Sequence, residues 1–214
     1  MSEAKTAPIW KGEFGDKYAD RNHDQYKVAS NTALFAKILQ RTNGITSVLE
    51  FGCGTGQNIE AINRISSDNL LTYGLDINAS AIEIAEQVCT EAVCLDFIKH
   101  EPPDDFDLPV DLTMTKGVLI HTAPADLPTA YDRLIEHSSK YILIAEYYNP
   151  TPVEVMYRGM PAALWKRDFC KEIIERAGYQ HHIWLKLIDY GFQYHGDHNF
   201  PQDDITWFLM EKVK

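Results

Sequence analysis

VLEFGCGTGQN, Val48 to Asn58, decides the fold: a short apolar run ends in glycines at positions 52, 54 and 56. A main chain so bare at the end of a strand serves a turn that a Cβ would obstruct, or a ligand that comes close to the backbone. Ile45 to Phe51 reads as a strand apolar on both faces, as buried parallel strands are. Gln57 to Ile65 reads as a helix, with Ile59, Ile62 and Ile65 on one side.

Outward from this unit, strand and helix alternate. Strands are expected over Leu70–Leu75, Ala92–Leu95, Val110–Thr115 and Tyr141–Ala145. Helices are expected over Ser80–Val88, Ala125–His137 and Arg167–Ala177. Before them, Asn31-Thr32 is read as the cap of a helix carrying Leu34, Phe35, Ile38 and Leu39, stopped at Asn43-Gly44. Two β-rich segments, Ile183–Tyr194 and Ile205–Val213, lack a helix between them and form an antiparallel pair at one edge. The alternation predicts an α/β, Rossmann-like fold with a mostly parallel sheet. One domain is expected over 1–214: a helical cap to 44, a core over 45–146, a crossover over 147–166, and a C-terminal helix with its β-pair.

Ligands of such sheets bind at the carboxyl ends of the strands. The glycine spacing lacks the Gly-Lys-Ser/Thr ending of a triphosphate loop and differs from the dinucleotide pattern G-x-G-x-x-G. Glu50, two residues before the first glycine, suits a cationic or hydrogen-donating ligand. Asp76 ends the second strand, where a carboxylate accepts from both hydroxyls of a ribose. Asp96, ending the third, accepts from an adenine amino group, and Phe97 covers the ring. These features describe an adenosine without phosphate and with a positive tail.

Twenty Lys and Arg stand against 31 Asp and Glu, a net charge of −11. That balance repels phosphate backbones and argues against nucleic acid as a partner. No apolar run approaches the roughly 20 residues of a membrane span, and the polar N-terminal stretch reads as no signal peptide, so a cytoplasmic protein is expected. Cys53, Cys89, Cys94 and Cys170 form no CxxC pair and are expected as reduced thiols. His195-Gly196-Asp197-His198 reads as a polar turn rather than a metal site, and His181-His182 as a surface connection.

The successive motifs VLEFGCGTG, GLDIN, CLDF and DLTMTKGVLIH closely resemble those of class I S-adenosylmethionine-dependent methyltransferases. The resemblance spans about Ile45 to Glu146. It implies a seven-stranded sheet, S-adenosylmethionine as cofactor, and a cofactor site of Glu50, Gly52, Gly54, Gly56, Asn58, Asp76, Ile77, Asp96 and Phe97, with Lys116 facing the methyl donor. A narrower resemblance, carried by WKGEFGDKYADRN, TKGVLIH, YILIAEYYNPTPVEVMYRG, WKRDF and NFPQDDITWFLMEK, is to the methylases associated with pseudaminic acid biosynthesis. It implies a small acceptor from bacterial surface-glycan or capsule pathways, a phosphoramidate among them. The chain departs from that pattern at Met160, where a histidine is expected.

His121 is either a general base for the acceptor or a structural histidine. The stretch from Tyr147 to Trp165 is long for a crossover and is read as irregular. Tyr147, Tyr148, Asn149, Tyr157, Arg158, Lys166, Arg167 and His195 are the candidate contacts to a sugar or anion. Trp10, Phe14, Tyr18 and Arg21, at near-helical spacing, either fold over the cofactor, with Arg21 on its carboxylate, or pack as an ordinary helix. Two other functions compete: a cofactor-binding scaffold or sensor without turnover, and a nicotinamide oxidoreductase, which the glycine spacing disfavours.

Overall fold

The computed structural model describes residues 6–21, 25–66 and 69–213. Helices α1 (Thr6–Lys11), α2 (Glu13–Arg21) and α3 (Gln25–Leu39) precede the first strand. The core then runs β1 (Ser47–Phe51), α4 (Gln57–Asn63), β2 (Leu71–Asp76), α5 (Ala79–Ala85), β3 (Glu91–Cys94), β4 (Val110–Lys116), α6 (Leu127–Glu136) and β5 (Ser138–Glu146). After it come β6 (Val153–Tyr157), β7 (Met160–Lys166), α7 (Phe169–Arg176), β8 (Trp184–Phe192) and β9 (Thr206–Val213).

Seven strands form one sheet in the order β3-β2-β1-β4-β5-β9-β8. The first five are parallel, and β9 enters antiparallel between β5 and β8. The order reverses at β1, which pairs with both β2 and β4. Clefts at such reversals hold ligands. Among the described residues no helix is long and apolar enough to cross a membrane.

Both faces of the sheet are covered, so its strands are apolar on alternate and intervening positions alike. Leu49, Phe51, Ile142 and Ile144 share a core with Leu134 of α6 and Phe169 of α7. Val48, Met114 and Leu143 share the other with Phe35 and Ile38 of α3 and Ile62 of α4. Strand alternation therefore puts Glu50 on the face of Val48, towards α3 and α4.

Two expectations are corrected. Asn31-Thr32 does not cap a helix: α3 begins at Gln25, Val28 already belongs to its buried stripe, and Thr32 Oγ1 donates back to the Val28 carbonyl at 2.7 Å. The helical period simply extends further towards the N-terminus than the polar pair suggests. Nor is the crossover from Tyr147 to Trp165 irregular. It folds into the hairpin β6–β7, in which Tyr157 opposes Met160. Arg158 and Gly159 make its turn, both at positive φ (49° and 81°), as two-residue hairpins require.

Candidate cofactor and acceptor site

The glycine loop is built from three different requirements. The amides of Gly52 and Cys53 both donate to the Leu75 carbonyl, at 2.7 and 3.0 Å, tying the loop to β2. Gly52 has φ 75°, and a Cβ there would lie 2.4 Å from Val118 Cγ2. Gly54 has φ 54° but a Cβ there would meet nothing within 4 Å, because it would enter a cavity. Gly56, at φ 78°, is the left-handed residue from which α4 starts.

That cavity, of about 730 Å³, lies at the carboxyl ends of the parallel strands and falls within the size range of small-molecule sites. Gly52, Gly54, Asn58, Asp76, Ile77, Asp96, Phe97, Lys116, His121 and His195 line it. The Asp76 carboxylate accepts from Gly54 N through one oxygen and from Asn78 N through the other, both at 2.8 Å. Each oxygen keeps a second lone pair. Burial raises the Asp76 pKa, against the opposing pull of the backbone amides. Asp96 accepts from Ile98 N at 3.2 Å and from Lys99 Nζ at 2.7 Å. Phe97 meets Phe51 edge-on at 5.3 Å, which fixes its ring.

Glu50 lies wholly buried behind the loop. Its Oε1 accepts from Asn58 Nδ2 at 2.6 Å, while its Oε2 and Asn58 Oδ1 are buried without a partner. Each orphan calls for a hydrogen-bonding partner, and of the two residues Asn58 lines the cavity while Glu50 stands behind it. Burial pushes the Glu50 pKa up to about 8, with the Asn58 bond and the Lys116 charge opposing.

Lys116 ends β4, and burial lowers its pKa although Asp203 and Glu50 favour its charge. After it the chain turns through a 3-10 segment, Leu119–His121. Glu146, 1% exposed at the end of β5, holds this turn. Its Oε1 accepts from Val118 N at 3.0 Å and Leu119 N at 3.1 Å, and its Oε2 from Ile120 N at 3.3 Å. Burial raises the Glu146 pKa to about 7. His121 Nδ1 donates to the Ala163 carbonyl at 2.6 Å, which leaves Nε2 as the acceptor nitrogen. Burial lowers the His121 pKa, so the ring is neutral near pH 7 with a lone pair on Nε2. Trp10 and Tyr157 flank it, each with ring centroids at 4.7 Å.

The hairpin and the cap divide the remaining candidates. Tyr157 reaches His121, and Arg158 stacks over Tyr157 at 5.7 Å. Tyr147 lies under Lys166 Nζ at 5.4 Å. Tyr148 bridges to Arg167, whose Nε pairs with Glu172 at 2.9 Å, and Asn149 donates to the Thr151 carbonyl. None of Tyr147, Tyr148, Asn149, Arg158, Lys166 and Arg167 lines the cavity. Trp10 and Tyr18 of the cap do line it, whereas Arg21 is exposed at the end of α2 and outside the wall. His195 is held through Nδ1 by Asp204 at 2.8 Å. His181, in the connection before β8, pairs with Asp132 at 2.7 Å beside Arg176. Among the described residues no cluster could hold a metal ion.

Residues not anticipated in the wall include Lys27, Ser30 and Asn31 of α3, Asn78, and Gln202 with Asp203. Gln202 Nε2 donates to Asn31 Oδ1 at 2.8 Å, closing the wall between α3 and the loop before β9. Ser30 and Asn31, 2% and 5% exposed, were legible as polar residues on an apolar helix face; the others carry no local signal.

The residues fit S-adenosylmethionine. Asp76 would hold the ribose, Asp96 and Phe97 the adenine, and Glu50 with Asn58 the ammonium end. The cofactor brings an electrophilic methyl group on a sulfonium. A carboxyl held near pKa 8 must ionise to meet a cation, so binding releases a proton below that pH. Affinity for S-adenosylmethionine is expected to rise about tenfold from pH 6 to pH 7. Calorimetry at pH 6.5 in buffers of different ionisation enthalpy should show close to one proton released, and Glu50→Gln should abolish it. A pH-independent affinity would remove Glu50 from the cation site.

Residues 48–139 match a family model described as a methyltransferase domain. None of the curated proteins matches the chain. Among solved structures, magnesium protoporphyrin IX methyltransferase from Synechocystis PCC 6803 with bound SAM is similar with a TM-score of 0.65 at 13% identity, over 97% of this chain and 95% of that one. The plantazolicin methyltransferase in complex with SAH gives 0.66 at 15% identity, over 99% and 95%. A TehB-like SAM-dependent methyltransferase from Corynebacterium glutamicum gives 0.59 at 16%, over 96% and 100%. At these identities the structural likeness speaks for the fold; the matched family model speaks for the segment that carries the glycine loop, Asp76, Asp96, Lys116 and His121.

Proposed function

We propose that this chain, a class I S-adenosylmethionine-dependent methyltransferase, methylates an oxygen of a small, anionic, sugar-containing or phosphoramidate metabolite in the cytoplasm, on a bacterial surface-glycan pathway. The observation that carries the anionic acceptor is the pair Lys27 and Lys116. They line one cavity from α3 and from the end of β4, and the Lys27 charge lowers the Lys116 pKa, although burial is the larger cause and Asp203 and Glu50 oppose it more strongly. An anion at that end of the cavity would meet ammonium groups from two elements. The sugar and pathway rest on the resemblance to the pseudaminic acid-associated methylases.

In this reading Lys116 holds the acceptor anion beside the methyl donor. His121 Nε2, neutral and backed by the Nδ1 bond to Ala163, takes the proton when the acceptor is a hydroxyl. Trp10 and Tyr157 hold the imidazole between them. An oxygen that is already anionic needs only in-line approach.

The test is turnover by mass spectrometry over nonulosonic acids, nucleotide sugars, phosphoramidates and their neutral analogues. Methylation of anionic acceptors is expected. Lys27→Met should raise KM for the acceptor on the order of tenfold or more, as loss of a charge-assisted contact implies, with cofactor affinity within about threefold. Equal turnover of neutral sugars would refute the anionic acceptor. Tight cofactor binding with no turnover anywhere would favour the scaffold or sensor.

A further inference from the structure

Asn78 is 4% exposed, yet five hydrogen bonds meet on it, one of them the Ile82 amide on its carbonyl. Its main-chain N donates to Asp76 Oδ1 at 2.8 Å, and its Oδ1 accepts from Ala81 N at 2.8 Å as the N-cap of α5. Its Nδ2 donates twice into the N-terminal cap, to the Trp10 carbonyl at 3.1 Å and to Asp16 Oδ1 at 2.8 Å. The approach is close enough to dictate sequence: a Cβ on Gly15 would lie 1.8 Å from the Trp10 carbonyl oxygen and 2.7 Å from Asn78 Nδ2. The α5 cap needs only an acceptor, which Asp or Ser supplies equally well. The amide nitrogen is the part that the cap on the cavity requires.

We propose that Asn78 is a positioning residue that locks α1 and α2 onto the cofactor cavity, joining the carboxylate of Asp76 to the wall formed by Trp10 and Tyr18. Asp76 and the wall lie on one ligand, so the residue between them sets how fast that ligand leaves. Trp10 also braces His121, and a loosened cap therefore reaches the acceptor end as well. This inference rests on S-adenosylmethionine occupying the cavity.

The test uses Asn78→Asp in the full chain, with S-adenosylhomocysteine as probe. Aspartate keeps the acceptor for Ala81 but loses both donations and sets a charge against Asp16. Dissociation is expected to quicken about tenfold or more, and trypsin should cut faster at the exposed Lys11, Lys17 and Arg21, with ligand protection lost. Adding Asp16→Asn moves the amide to α2 and leaves the carboxylate at the α5 cap, so the bond between 78 and 16 forms again with donor and acceptor exchanged, while the bond to the Trp10 carbonyl stays lost. This exchange should recover part of the loss, improving both readouts by about threefold or more over Asn78→Asp alone. A merely structural role would lower thermal stability and leave the dissociation rate in place. Where Asn78→Asp does not fold, Asp16→Ala replaces it and is expected to quicken dissociation too. Unchanged dissociation and cleavage in these variants, or no recovery in the exchange, overturns the lock. A starting protein that binds no S-adenosylhomocysteine overturns the cofactor reading instead.

Discussion

Asp76→Ala is expected to weaken binding of S-adenosylmethionine about a hundredfold or more. The side chain is half-buried at the end of β2 and its two oxygens already accept one backbone amide each, so it is held for whatever its remaining lone pairs receive. Two ribose hydroxyls donating to a carboxylate contribute about 1.5–3 kcal/mol each. Losing both, at the low end, gives about 3 kcal/mol, or two orders of magnitude in Kd. Alanine also frees the amide of Gly54, which loosens the loop. Asp76→Asn keeps part of the acceptor set and should fall between. Because the ribose is common to both, S-adenosylhomocysteine should lose as much as S-adenosylmethionine in calorimetric titration. Unchanged affinity would move the ribose away from the end of β2.

Gly52→Ala carries the second large effect, this time on stability. Its φ of 75° costs an L-residue roughly 1–2 kcal/mol. The new Cβ also drives to 2.4 Å from Val118, an overpacking that costs about 1–3 kcal/mol. The sum, about 2–5 kcal/mol, lowers the thermal midpoint by roughly 5–15 °C in a chain of this size. Val118→Ala in the same chain should recover the steric part and leave the backbone part. Gly54→Ala makes the contrast: its Cβ meets no protein atom within 4 Å, so its stability loss should be the smaller one while its effect on the cofactor remains. Equal losses at 52 and 54 would dismiss the Val118 contact.

The parallel core was legible because its signals are local. Apolar runs, glycine stops and the acidic residues that close the second and third strands repeat at short range, and Gly52, Asp76 and Asp96 fall at or just past strand ends. The β6–β7 hairpin was not legible, since its turn is Arg158-Gly159 rather than the Asn-Gly that announces a hairpin, and three prolines read as irregular chain. The start of α3 was lost to a polar pair that sits inside the helix. The cavity wall was legible only in part: Trp10 and Tyr18 stood out by helical spacing, but Lys27, Asn78 and Gln202 reach the site through tertiary packing. Arg21 shows the reverse error, a residue with the right charge on a helix that turns it outward. That Glu146, ending an apolar strand, gathers three amides of another segment was not legible.

The bond from Gln202 to Asn31 spans 171 positions. Closing a loop of that length is entropically slow, and contacts of such separation form late in folding. A fragment lacking either segment lacks that wall, however well its sheet forms. The pocket therefore matures with the whole chain, and a ligand that recognises only the finished pocket draws on the global folding equilibrium. For this protein, keeping the cofactor and keeping the fold are linked equilibria.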